Sequence, residues 1–125
     1  MKRKSKLPVI TVNIPPYGRM RIVGEEGDAG LSILRKNWPA LWPKVKRNLK
    51  TMIRDWKDTL EVPIRLTKQK WLGEGGSLEP DVFMSDQADI FLRIQLEEPP
   101  DWEDAFPVWD FFIKETTVVH CQPVF

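Results

Sequence analysis

The residues of this sequence that could carry chemistry fall into three groups, and the first is the pair His120 and Cys121. They are the only histidine and the only cysteine among the 125 residues. A cysteine nucleophile needs a base within hydrogen-bonding distance, but neighbours in a strand point to opposite faces. We therefore predict that the pair is not a catalytic dyad. Cys121 is expected to be a small core residue on the face of Val119, and His120 to lie beside Val118 and Gln122.

The second group is an acidic segment, residues 97–106, that also contains aromatic residues. Its spacing does not match a calcium-binding loop, and Pro99-Pro100 stiffens it. Carboxylates around aromatic side chains are typical of an interface with an apolar anchor and a charged rim. Alternatively, its two aromatic rings belong to the core. The residues predicted to bind a partner are Glu97, Glu98, Asp101, Trp102, Glu103, Asp104 and Phe106.

The third group is a set of cations at helical spacing. Placed on a helix, they fall on the side opposite the apolar stripe, where they could contact phosphates without reading sequence. The alternative is a solvated face that Asp55, Asp58 and the acidic half of the chain partly neutralise. No known nucleic-acid-reading motif accompanies them. The candidate residues are Lys46, Arg47, Lys50, Arg54 and Lys57.

Several kinds of site are not expected. A single cysteine rules out an intramolecular disulfide and a multi-cysteine metal site. The run Gly73-Glu74-Gly75-Gly76-Ser77 lacks the Lys-Ser/Thr ending of a phosphate-binding loop, and we interpret it as a flexible loop. We predict no cofactor, no metal site and no enzymatic activity.

The charges of the chain are divided between its two parts. Residues 1–70 contain 17 Lys/Arg and 6 Asp/Glu, whereas residues 71–125 contain 2 and 12, although the net charge is only +1. Such asymmetry indicates a charged partner. The two parts could also neutralise each other within one molecule, or pair between the subunits of a homodimer.

The elements that must position these residues follow from hydrophobic periodicity. Alternating apolar residues predict a hairpin over 9–23, strands at 62–66, 82–84 and 90–96, and a final hairpin with strands at 108–113 and 118–125. An apolar stripe from Leu31 to Leu60 predicts helix. Because a proline inside a helix is costly, Pro39 and Pro43 favour a short helix near 30–37 and a main helix from 39 or 43 to 60.

Together these elements predict an α+β fold. An antiparallel sheet, made of the N-terminal hairpin and the C-terminal strands, would carry the main helix and the short helix on one face. Residues 1–8 would form a flexible basic arm and residues 9–125 a single domain. Without a signal-peptide pattern or about 20 consecutive apolar residues, we expect a cytoplasmic protein that does not enter a membrane.

The favoured functional hypothesis is a non-enzymatic protein–protein interaction domain. It would use the acidic aromatic segment to bind a partner with a basic surface, for example as a bacterial immunity or antitoxin-like protein. Complementary charge would speed such an encounter. The alternative is a nucleic-acid-binding protein that uses the basic arm and the basic helix face.

Overall fold

The computed structural model describes residues 7–55, 66, 70–80, 85–96 and 108–124. The arm residues 1–6, the predicted strand at 82–84 and most of the one at 62–66 lie outside the described residues. Among those described, no helix combines the length and the apolar character needed to cross a bilayer.

The described part of the chain contains six strands and one helix, so the fold is α+β. The elements in chain order are β1 (Val9–Asn13), β2 (Arg19–Val23), α1 (Gly30–Asp55), β3 (Trp71–Ser77), β4 (Ile90–Leu96), β5 (Val108–Lys114) and β6 (Thr117–Val124). The strands form one sheet in the order of the chain. This confirms the hairpin predicted over 9–23, the strand at 90–96 and the C-terminal hairpin.

The prediction of an entirely antiparallel sheet is wrong at one place. β2 and β3 run parallel, with Ile22 opposite Gly73, and the other pairs are antiparallel. The helix α1 lies between these two strands in the chain. A connection that contains a helix returns the chain to the end of the sheet where it started, so the next strand can run in the same direction.

Helix α1 is also continuous, which corrects the prediction of two separate helices. It runs through Pro39 and Pro43, both of which are exposed. Each proline costs about 3 kcal/mol in a helix interior, whereas each fully buried large apolar side chain contributes roughly 1.5–3 kcal/mol. The buried stripe outweighs the prolines because it continues on both sides of them. Its members are Leu31, Leu34, Trp38, Leu41, Trp42, Val45, Leu49 and Met52.

The glycine run that we interpreted as a flexible loop belongs to strand β3. Its glycines are needed because the helix packs closely against this strand. A Cβ atom at Gly75 would lie 2.8 Å from Cδ1 of Leu34, and one at Gly30 would lie 2.5 Å from the backbone carbon of Gly76. The start of α1 therefore rests on the backbone of β3 itself. Glycine supplies the space for this contact, so these residues serve packing rather than flexibility.

The core lies between α1 and one face of the sheet. Alternate residues of β4 are fully buried beneath the helix, namely Ile90, Leu92, Ile94 and Leu96. Two indole N–H groups tie the helix to the first hairpin. Nε1 of Trp38 donates to the carbonyl oxygen of Asn13 at 2.7 Å, and Nε1 of Trp42 donates to that of Pro15 at 3.0 Å. The helix orientation is thus set by apolar burial and by these two directed bonds.

Asp28 connects the loop before α1 to the end of β3. Its carboxylate accepts hydrogen bonds from the N–H of Gly30 at 2.7 Å, the N–H of Ser77 at 2.9 Å and the hydroxyl of Ser77 at 2.7 Å. Partial burial raises the pKa of Asp28, but these three hydrogen bonds to the charged form together lower it further, so the net pKa lies below the usual value. Asp28 thus stabilises the fold in its ionised form.

Replacing Asp28 with asparagine should lower the free energy of unfolding by about 1–2 kcal/mol at pH 7, because the charge-assisted bonds are lost. A carboxylate whose pKa is lowered by folding stabilises the protein at pH values above its unfolded-state pKa of about 3.9. This stabilisation is lost as the pH falls through the folded-state pKa. The gap between wild type and Asp28→Asn should therefore narrow below about pH 4 in urea titrations at several pH values. The exposed Asp86→Asn is the matched control. A gap that stays constant down to pH 2, an order-of-magnitude lower limit, would contradict this role.

Candidate functional site

The outer face of α1 carries six positive charges and no negative charge before Asp55. At about 100° per residue, these side chains occupy an arc of about 120° on the side away from the core. Residues 30–54 contain no Asp or Glu. The outer-face cations are Arg35, Lys36, Lys46, Arg47, Lys50 and Arg54.

Four of the five predicted basic residues lie on this face, and Lys57 lies outside the described residues. Arg35 and Lys36 were missed because the prolines led us to divide the helix. One signal could have found them: 25 consecutive residues, 30–54, without an acid. Lys44 was also missed, but it has a structural role, since its Nζ donates to the carbonyl oxygen of Thr116 at 2.7 Å.

In the described residues, acidic side chains neutralise this basic face only slightly. Nε of Arg54 lies 3.5 Å from Oδ1 of Asp55, and both side chains are more than half exposed. Within the described ranges, no other outer-face cation forms a salt bridge, and Asp58 lies outside them. Lys46 and Lys50, like Lys50 and Arg54, are four residues apart, where like charges destabilise a helix by about 0.2–0.5 kcal/mol per pair. An anion bound here would relieve that repulsion.

A second charged feature, which the sequence did not indicate, lies on the sheet face away from α1. Nε and Nη2 of Arg93 donate to the two carboxylate oxygens of Asp110 at 2.7 and 3.0 Å. These hydrogen bonds raise the pKa of Arg93 above its ordinary value; burial opposes them, and the charges of Asp110 and Glu74 add to them. Arg93 borders two open depressions of about 870 and 670 Å³, and Asp110 lines the second of them. Because Asp110 is almost fully buried and bound at both oxygens, it is occupied in holding Arg93.

His120 and Cys121 lie on opposite faces of β6, as predicted. Cys121 packs against the core, where burial raises the pKa of its thiol and so disfavours the nucleophilic thiolate. The ring of His120 packs beside Phe112, and its Nε2 lies 3.2 Å from Oε1 of Gln122. One detail was wrong: the partner of Cys121 on the core face is Val118 rather than Val119. An irregularity in the register of β5 and β6 at Phe112/Ile113 leaves Val119 as an extra residue.

The acidic aromatic segment lies outside the described residues, so its role in partner binding stays a prediction. That statement covers Glu97, Glu98, Asp101, Trp102, Glu103, Asp104 and Phe106. In the part of the chain that is described, no three His, Cys, Asp or Glu side chains come together as metal ligands could.

No protein-family model, curated protein or solved structure matches this chain. A fold by itself does not define a function, so the function has to be inferred from the charges and geometry of the surface. The outer face of α1 is the surface that these observations single out.

Proposed function

We propose that this protein is a non-enzymatic binding domain that holds nucleic acid through the outer face of α1. The observation that supports it is one continuous helix whose outer face carries six cations and no carboxylate before Asp55. A cytoplasmic location belongs to the same proposal, because nucleic acid is available there and the chain has a single cysteine.

The dimensions of the helix suit a phosphate backbone. From Arg35 to Arg54 the axis rises about 29 Å at 1.5 Å per residue. Successive phosphates of one strand of a duplex are about 3.4 Å apart along the axis, so a face of this length passes several of them. The face offers lysine and arginine but no aromatic or amide side chain that would read base edges. Binding is therefore expected to depend on charge and not on sequence.

The test compares two variants with equal loss of charge. The first, Lys46→Gln/Lys50→Gln/Arg54→Gln, removes half of the outer-face cations. The control, Arg19→Gln/Lys70→Gln/Lys114→Gln, removes three exposed cations located elsewhere. At about 50 mM salt, the helix variant should bind a short DNA duplex at least about tenfold more weakly than wild type, and its slope of log affinity against log salt should fall by about 2–3.

Fluorescence anisotropy at several salt concentrations measures both quantities. The control should retain most of the affinity and nearly the whole salt slope. If wild type fails to bind DNA and RNA at low salt, or if both variants lose affinity equally, the face is only a solvated helix surface. The free energy of unfolding of the helix variant checks that it is folded. Removing like charges four residues apart should not lower it.

The second proposal is a protein partner with a basic surface, bound through residues 97–106. It is supported by five carboxylates near Trp102 and Phe106 in the sequence, and an immunity or antitoxin-like protein is one example of such a binding domain. Replacing Asp101, Glu103 and Asp104 by Asn or Gln should then slow association with that partner and flatten its salt dependence. A homodimer held by opposite charges would instead appear as a doubled mass at low salt that halves at high salt.

A further inference from the structure

The two edges of the sheet are built differently. β1 and β6 are its outer strands. β6 carries a register irregularity and includes Pro123, which has no N–H, and both features discourage pairing with another strand. β1 pairs regularly with β2 along its whole length, and its five residues include no proline and no charge. Within the described residues, β1 shows neither of these protective features.

Hydrogen bonds at the ends of the first hairpin show which backbone groups of β1 face outward. The N–H of Gly24 donates to the carbonyl oxygen of Pro8 at 2.9 Å, and the N–H of Ile14 donates to that of Gly18 at 2.8 Å. Bonded and non-bonded pairs alternate in an antiparallel ladder. The even-numbered residues of β1 therefore bond to β2, and Val9, Thr11 and Asn13 direct their N–H and C=O groups away from it.

One of these outward groups is already used. The carbonyl oxygen of Asn13 accepts the indole N–H of Trp38. Within the described residues, the N–H groups of Val9, Thr11 and Asn13 and the carbonyls of Val9 and Thr11 have no hydrogen-bond partner. They form a row of donors and acceptors with the spacing of an incoming strand.

The side chains beside this row indicate what kind of strand would fit. Leu7 and Val9 are 56% and 41% exposed, so they offer apolar surface at the edge. On the sheet face away from α1, Arg21 lies opposite Thr11 and Arg19 opposite Asn13. Neither arginine forms a salt bridge with any residue the structure describes. Val9 shares this face with the two arginines, so the open side of the edge carries apolar surface and two positive charges.

We propose that β1 is a strand-addition site for an extended, acidic segment of another protein. The added strand would bond to the outward groups of Val9, Thr11 and Asn13. Its alternate acidic side chains would lie on the open face near Arg19 and Arg21. A second copy of this chain fits less well, since antiparallel pairing of two β1 strands would bring the arginines of both copies to the same face. This site is independent of the helix face proposed to bind nucleic acid.

The probes are three synthetic peptides added to the full chain labelled with nitrogen-15. The first alternates valine and glutamate, the second alternates valine and lysine, and the third is the glutamate peptide N-methylated at every residue, so that neither of its edges can pair with β1. The glutamate peptide should shift the amide resonances of Val9, Thr11 and Asn13. The lysine peptide should bind about fivefold more weakly, as the loss of two exposed ion pairs implies, and the methylated peptide should not bind.

Two variants locate the site. Thr11→Pro removes an outward N–H without removing a bond to β2, and edge strands tolerate proline at such positions. This variant should not bind the glutamate peptide, whereas the control Thr11→Val should bind it. Arg19→Gln/Arg21→Gln should bind the glutamate and lysine peptides equally, and the helix variant Lys46→Gln/Lys50→Gln/Arg54→Gln should bind them as wild type does. If Thr11→Pro does not fold, the methylated peptide on wild type still decides the question.

Three results would overturn the proposal. The first is the absence of shifts in β1 at millimolar peptide. The second is equal binding of the methylated and unmethylated peptides. The third is a doubling of the molecular mass with the same amides perturbed and no peptide present, which would show that the edge takes a second copy of this chain.

Discussion

Replacing Trp42 with alanine should lower the free energy of unfolding by about 3–5 kcal/mol, the usual range for truncating a buried aromatic side chain. Trp42 is 4% exposed. Its ring stacks on Trp38 with centroids 5.7 Å apart and meets Trp71 and Tyr17 edge-on at 5.9 and 6.5 Å. Removing it would leave a cavity where α1, the first hairpin and β3 meet. Urea denaturation followed by circular dichroism measures the change.

Trp42→Phe separates packing from hydrogen bonding. Phenylalanine keeps much of the ring but cannot donate to the carbonyl oxygen of Pro15. Its expected cost is about 1–2 kcal/mol, the sum of one lost hydrogen bond and a small loss of volume. The control Ile33→Ala, at a 41% exposed position of the same helix, should change stability by less than about 1 kcal/mol. If Trp42→Ala costs no more than this control, Trp42 does not join these elements as described.

Gly30→Ala should lower stability by about 2–3 kcal/mol, in the range of overpacked cores. In an ordinary helix interior, the same change would instead raise stability by up to about 1 kcal/mol, because alanine favours helix. The sign is reversed here because the added Cβ atom would lie 2.5 Å from the backbone nitrogen of Ser77 and 2.8 Å from Cα of Gly76. Backbone atoms within a sheet cannot move aside as the end of a side chain can.

The control for Gly30→Ala is Ser32→Ala, at an exposed position in the same turn. It should change stability by no more than about 0.5 kcal/mol. Thermal unfolding of both variants beside wild type is sufficient. A Gly30 variant more stable than wild type would show that α1 does not rest on β3 as closely as the structure places it.

The candidate site was predictable in part. The helical spacing of Lys46, Lys50 and Arg54 is enough to place them on one face, and the fold adds Arg35 and Lys36 to that face. The addition depended on the continuity of α1. A local rule assigns a cost to each proline, but whether the chain bears that cost depends on how much apolar surface the helix buries against the sheet.

The position of β1 at an edge of the sheet and the Arg93–Asp110 pair could not have been found in this way. Alternation identified the strands that carry them but not their neighbours. Arg93 and Asp110 are 17 residues apart in the chain and meet because β4 and β5 pair with these two residues opposite each other. An edge exists only once the order of the strands is known.

The sequence by itself determined the periodic elements: the alternating strands at both ends, the apolar stripe of the helix and the cations opposite it. Each of these depends on the spacing of residues close together in the chain. The tertiary structure alone decided that Gly73-Glu74-Gly75-Gly76 is a strand, that β2 and β3 are parallel, and that α1 passes through two prolines. At the glycines and the prolines, a local preference for a break was outweighed by contacts between distant residues. The direction of β3 relative to β2 is itself a relation between distant segments. Such contacts leave no periodic pattern in the sequence.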